Sequence, residues 1–147
     1  MAKYEIDTQA KFSKLLPIIG RADELHFTGT GRLRLPDGFA CAGVVTDKSA
    51  QVTCEGEVSI GDAELRGPVI MRGKSRFDSL KIDGDLLAYG DVEAGEGGAE
   101  ISGSAIISRG RIRCDTSFRV RGALVVEHDP EGNGVLYCDT VQKLPGS

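Results

Sequence analysis

The chain has 147 residues, 18 Lys and Arg against 22 Asp and Glu for a net charge of −4, 40% hydrophobic residues, 20 glycines and no tryptophan. That is one domain, long enough to bury on the order of two-thirds of its unfolded surface, and its acidic balance excludes a protein whose main work is coating nucleic acid. No apolar run of about 18 residues is present to span a bilayer as a helix, and Met1–Asp7 lacks the apolar stretch of a secretory signal, which predicts a cytoplasmic protein.

Residues 1–21 form the first unit. Phe12, Leu15, Leu16 and Ile19 recur at helical spacing, so a short helix is predicted over 7–19, capped by Asp7 or Thr8 and ended or kinked at Pro17. This segment serves as a cap or cover for the repeat that begins at residue 22.

Residues 22–126 are governed by that repeat, the feature to seek before any other. Short pieces reading apolar, any, apolar recur: Val58-Ser-Ile60, Ala63-Glu-Leu65, Val69-Ile-Met71, Ser75-Arg-Phe77, Leu80-Lys-Ile82, Leu86-Leu-Ala88 and six more through Leu124-Val-Val126. Twelve pieces start between 58 and 124, a mean step of six residues. Each is a minimal strand with both flanking side chains on one face. Glycines punctuate the joints at the same interval, three of them as Gly-Asp at 61–62, 84–85 and 90–91, which reads as corners. The pattern runs back, less cleanly, through Val52-Thr-Cys54, Phe39-Ala-Cys41, Leu33-Arg-Leu35 and Leu25-His-Phe27.

A short strand and a corner repeated every six residues predict an all-β fold, a short triangular parallel β-helix. Three rungs per coil give about 5–6 coils and a rod roughly 25–30 Å long. The outward residues support that register. One face reads Glu64, Lys81, Glu100, Arg119 and a second reads Ser59, Arg76, Glu93, Arg113, with charges of opposite sign stacked as neighbours. The third reads Ile70, Leu87, Ile106, Val125, at steps of 17, 19 and 19. Such an apolar stripe needs a cover: the N-terminal helix, the C-terminal strand, another chain or a surface.

Residues 127–147 make the last unit. Glu127-His-Asp-Pro-Glu-Gly-Asn-Gly134 is loop chemistry, 135–141 returns as a strand, and Leu144-Pro-Gly-Ser147 is a frayed tail.

No catalytic signature, cofactor cradle or metal set is apparent. Cys41, Cys54, Cys114 and Cys138 lie 13, 60 and 24 residues apart, which fits buried thiols better than a zinc site or disulfide scaffold. His26 is an outward rung residue and His128 a loop residue. Gly95-Glu-Gly-Gly98 lacks the strand-to-helix setting of a phosphate loop and reads as a wide corner. Charge is uneven: residues 83–100 hold six acids and no base, whereas Arg109, Arg111, Arg113, Arg119 and Arg121 face only Asp115 between 109 and 121. Either adjacent coils pair these blocks, or the arginines form a basic patch for an acidic protein or an anionic membrane. Sequence-specific single-strand binding is disfavoured, since Phe118 is the lone aromatic there and points inward.

The coils of Leu80-Lys-Ile-Asp-Gly-Asp-Leu-Leu-Ala-Tyr-Gly-Asp-Val-Glu-Ala94 resemble those of the bactofilins. The likeness is best over 56–126 and reaches 25–126 with the irregular rungs. It implies a right-handed triangular β-helix that polymerises end to end without nucleotide, as bacterial cytoskeletal proteins do. Three readings are open. The first is a non-enzymatic scaffold whose partner is itself, assembling through its ends or apolar face, with Ile70, Leu87, Ile106, Val125, Phe12, Leu16, Phe118 and Val120 as interface residues. The second is a discrete adaptor or phage-type fibre component that docks a partner by the apolar face or the arginines. The third, from the six-residue period, is an enzyme of the hexapeptide-repeat acyltransferase kind.

Overall fold

The apolar triplets become strands and the glycine joints become corners, in a computed structural model that describes residues 2–145. The chain opens with β1 (Lys3–Ile6), helix α1 (Gln9–Leu15) and a 3-10 turn at Leu16–Ile18. Strands β2 (Glu24–Phe27), β3 (Arg32–Leu35), β4 (Ala40–Thr46), β5 (Gln51–Cys54) and β6 (Val58–Arg66) come after it. Next come β7 (Val69–Met71), β8 (Ser75–Asp83), β9 (Leu86–Ala88) and β10 (Val92–Ile101). The last are β11 (Ala105–Ile107), β12 (Ile112–Cys114), β13 (Ser117–Val126) and β14 (Val135–Lys143). Every strand pairing is parallel, and the whole is a β-solenoid of about 7 turns.

Register assigns the strands to three faces. On the first, Tyr4, Leu25, Val44, Ala63, Leu80, Ala99, Phe118 and Leu136 stack in one inward column. On the second, Leu33, Val52, Val69, Leu86, Ala105, Leu124 and Val141 do the same. Cys41, Ile60, Phe77, Ala94 and Cys114 line the third. The longer strands, such as β6 and β8, bend round a corner and serve two faces. The three columns meet in one core running the length of the rod.

Two expectations are corrected at the ends. The coil count exceeds 5–6, because β1 and β14 add rungs outside the clean repeat, and about seven steps at the strand spacing give a rod of about 34 Å. Residues 1–21 are not simply helical: Lys3–Ile6 pairs with Glu24–Phe27 before the helix begins. Thr8 is the cap, its hydroxyl accepting from the Lys11 N–H at 3.2 Å, and Pro17 falls in the 3-10 turn. The terminal strand extends to Lys143, beyond the expected 141. Of the expected tail, residues 146–147 lie outside the described residues.

Corners are built by columns of glycine. Between the second and third faces, Gly56, Gly73, Gly90 and Gly110 sit one above another, and a Cβ on Gly73 would lie 2.7 Å from the Gly56 carbonyl carbon. The backbones approach so closely that any side chain collides with the coil below. At the wide corner Gly95–Gly97, the register of β10 against β8 slips between Ala94 and Gly98, absorbing the extra residues of a longer coil.

Two substitutions test this packing. A Cβ on Gly90 would meet the Gly73 carbonyl carbon at 2.9 Å and the Lys74 nitrogen at 3.2 Å, so Gly90→Ala is expected to cost about 1–3 kcal/mol in denaturant melts. Ser75, fully buried between Val58 and Val92 in a second inward column of the third face, has a hydroxyl without a partner. Ser75→Val is expected to gain about 1 kcal/mol by the same measurement.

Candidate functional site: the two ends and the aliphatic face

Residues one coil apart are neighbours, so the outward columns decide what each face offers. Glu64, Lys81, Glu100 and Arg119 stack in register on the first face. On the third, Ser59, Arg76, Glu93 and Arg113 do so, with Arg76 3.3 Å from Glu93 and Arg113 3.1 Å from Asp91 and 3.0 Å from Glu131. The third face's ladder closes ion pairs within the chain, and on the first Glu100 is met by Arg121 at 3.4 Å. Each exposed pair contributes little, about 0–1 kcal/mol.

The second face is different. Its outward column is Arg34, Thr53, Ile70, Leu87, Ile106, Val125 and Gln142, so the four expected aliphatic residues do form one continuous stripe. Neither internal cover lies over it: α1 packs at the end of the rod and β14 is the last coil. Ile70, Leu87 and Val125 are half-buried by their flanking neighbours, and Ile106 keeps 41% of its surface in water.

The N-terminal end is covered over its second face, while on the first face the four residues of β1 are the terminal strand. Helix α1 lies where the next rung of the second face would be, and its Phe12 is buried, edge-on to Phe39 with ring centres 5.6 Å apart. The free edge of β3 is met by Gln9, whose side-chain carbonyl accepts from the Arg34 N–H at 2.7 Å while its amide donates to the Arg34 carbonyl at 3.2 Å. A carboxamide thus stands in for the missing peptide group.

Nothing comparable closes the C-terminal end among the described residues. β14 stacks on β13 with Leu136 over Phe118, Cys138 over Val120, Val141 over Leu124 and Lys143 over Val126. Leu136 and Cys138 are half-buried, but inward-facing Val141 is 58% exposed. In earlier coils the inward residue at Val141's position donates its N–H to the following coil, as from Val69 to Asp85 and from Leu86 to Ser104, both at 2.9 Å. Beyond Val141 no following coil is present among the described residues.

The remaining expected site residues scatter. Phe12, Phe118 and Val120 are core and Leu16 is half-buried against it, so these four offer no free surface. The arginines do not make one basic patch: Arg109 and Arg111 sit at one corner, Arg121 at another, Arg113 on the third face and Arg119 on the first, because successive rungs turn the chain through the triangle. Most are engaged, Arg111 with Glu131 at 3.7 Å, Arg121 with Glu100 at 3.4 Å, and Arg119 over the Tyr137 ring at 4.6 Å. Arg109 holds φ of 63°, a left-handed conformation unusual for a side-chain-bearing residue. His26 is outward and its Nε2 lies 2.6 Å from Asp47, while His128 is 3.7 Å from Glu127. All four cysteines are free; burial pushes the Cys41 thiol up to about 11 and the Cys54 thiol up to about 12. Among the described residues no His, Cys, Asp and Glu cluster is placed to hold a metal ion, and no helix is long and apolar enough to cross a membrane. Sequence reasoning missed Gln9, Leu136 and Val141. For the last two the signal was present, since 135–143 alternates like the rungs before it.

Comparison with family models, with characterised proteins and with solved structures returned no match.

Corner carboxylates complete the surface. Asp91 accepts from the Arg111 N–H at 2.9 Å and pairs with Arg113, which holds its carboxyl below the ordinary 3.8. Asp23 is lowered by the N–H groups of Gly20 and Ala2, and Glu127 by the Arg109 N–H and the Ser108 hydroxyl. Each favours the ionised form when folded. Their contribution is therefore complete above the ordinary carboxylate values and is lost as pH falls through the lowered folded ones. The melting temperature is expected to be insensitive to these groups above about pH 5, to fall below that, and to fall less steeply in Asp91→Asn.

Proposed function

We propose that this chain is a non-enzymatic structural module that assembles with copies of itself through the open C-terminal end of its solenoid. The observation that carries this reading is the difference between the ends: one covered over its second face by a helix and a side-chain amide, with only the four residues of β1 left at its edge, the other presenting the free outer edge of the nine-residue β14 over an incompletely covered core. An exposed strand edge is a template for another chain. The bactofilin resemblance of the Gly-Asp-aliphatic coils points the same way, and a cytoplasmic location belongs to the proposal, in keeping with four unpaired cysteines spread along the rod.

When the C-terminal ends are the adhesive ones, two rods meet tail to tail about a twofold axis, their β14 strands antiparallel, and growth by that contact stops at two. Longer structures then require the sides. A second reading, an adaptor that docks a different protein, draws on the aliphatic stripe of the second face.

Light scattering over a hundredfold range of concentration is expected to show mass rising from one chain to two. Val141→Asp should move the midpoint to at least about tenfold higher concentration, with little change in melting temperature, since Val141 is already 58% exposed. A mass fixed at one chain, or a variant that assembles like the parent, overturns the reading. Open-ended growth shows that the N-terminal helix does not close its end.

A further inference from the structure

The second face carries a pattern that is complementary to itself. Between the buried Thr53 and the exposed Gln142 its central column reads Ile70, Leu87, Ile106, Val125: four aliphatic residues in one run. The midpoint lies between Leu87 and Ile106. Turning a second copy about an axis parallel to the strands at that midpoint reverses the rod and sets Leu87 over Ile106 and Ile70 over Val125.

The rims match as well. Arg72 and Glu127 are each the first residue after an inward-outward-inward triplet of this face, at the corner shared with the third face. The same rotation brings Arg72 of one copy to Glu127 of the other, and sets Asp85 opposite Ser104 along the opposite rim. Arg72 is exposed and holds Glu55 only loosely, at 3.7 Å, so it is free to lean across, and Glu127, whose Oε2 accepts from the Ser108 hydroxyl and the Arg109 N–H, keeps Oε1 for it. The alternative axis, along the rod, places Arg72 against Pro68 and matches no charge. Charge complementarity therefore chooses both the occupant and its direction.

We infer that the second face is a lateral contact between two copies of this chain, packed sheet to sheet with their rods running in opposite directions. Four rungs of about four residues cover about 250 Å² per copy. A pair buries about 500 Å² in all, well short of the 1,200–2,000 Å² of a stable interface. The contact is weak alone and gains strength when the rods are also joined at their ends, by multivalency. In that strength, though not in its geometry, the inference rests on the proposed end-to-end association.

Cysteine cross-linking in the full chain tests it. Leu87→Cys mixed with Ile106→Cys is expected to give disulfide-linked pairs in at least about fivefold excess over Ile70→Cys alone, whose sites fall at opposite ends of the contact. Arg72→Glu should lower the yield, and so should Glu127→Gln, which keeps an oxygen for the Ser108 hydroxyl and the Arg109 N–H. In Val141→Asp the same cross-link pattern is expected at higher protein concentration. Equal yields from all cysteine positions overturn the lateral contact while leaving the end contact to its own test. The pattern surviving in a chain whose mass is unaffected by Val141→Asp overturns the end contact instead. Co-sedimentation of the parent chain with anionic vesicles, lost in Ile106→Glu, would assign the face to a lipid surface and overturn the inference.

Discussion

Stacking at one strand spacing is the constraint on which this molecule depends. Each residue of a coil lies about 4.8 Å from its counterpart in the next, so side chains are selected by column and not by sequence neighbour. An inward column needs only apolar residues of compatible size. A corner column needs glycine, as in Gly56, Gly73, Gly90 and Gly110, because there the backbones themselves are in contact. An outward column of like charges would repel by about 1 kcal/mol per step even in water. Glu64, Lys81, Glu100 and Arg119 alternate, and the penalty becomes a small gain at every step.

The same constraint makes the ends the difficult places. Within the rod every ladder group finds its partner in the coil before or after, while the first and last coils each leave one edge unmatched. At the N-terminal end, Gln9 supplies one donor and one acceptor to Arg34, and Phe12 covers the core beneath Phe39. At the C-terminal end, the inward column of the second face finishes in Val141 with its side chain largely in water, and Lys143, which takes Val126's place one coil on, carries its charge out to Asp129 at 3.2 Å. A lysine there tolerates water and marks the limit of the core.

What could be read from the sequence divides along the same line. Period, corners, the three faces, the paired charges and the Ile70, Leu87, Ile106, Val125 stripe were legible, because each is a property of a column and the columns repeat. The features that occur once were not. Lys3–Ile6 alternates too briefly and with too much charge to announce a strand, and its place is fixed by pairing with Glu24–Phe27. Gln9 has no sequence signature as a cap, since its role depends on a β3 edge 25 residues away. The arginines of 109–121 looked like a cluster because proximity in sequence was taken for proximity in space. In a coil of three faces, four residues along the chain is a different side of the rod.

The stripe raises a question of competing explanations. β-branched and aliphatic residues stabilise a strand locally, and stacked pairs of them contribute about 0.2–1 kcal/mol each, so Ile70, Ile106 and Val125 have reason to be present with no partner at all. Threonine would supply much of that gain without exposing an apolar surface, and it does occupy the column once, at Thr53. Leu87 lacks β-branching and gains least from the strand itself. Its presence between Ile70 and Ile106, on the face that carries no charge ladder, is better accounted for by a surface that is covered in the assembled state. The first and third faces carry alternating charges in their outward columns, and the second places none from Thr53 to Gln142.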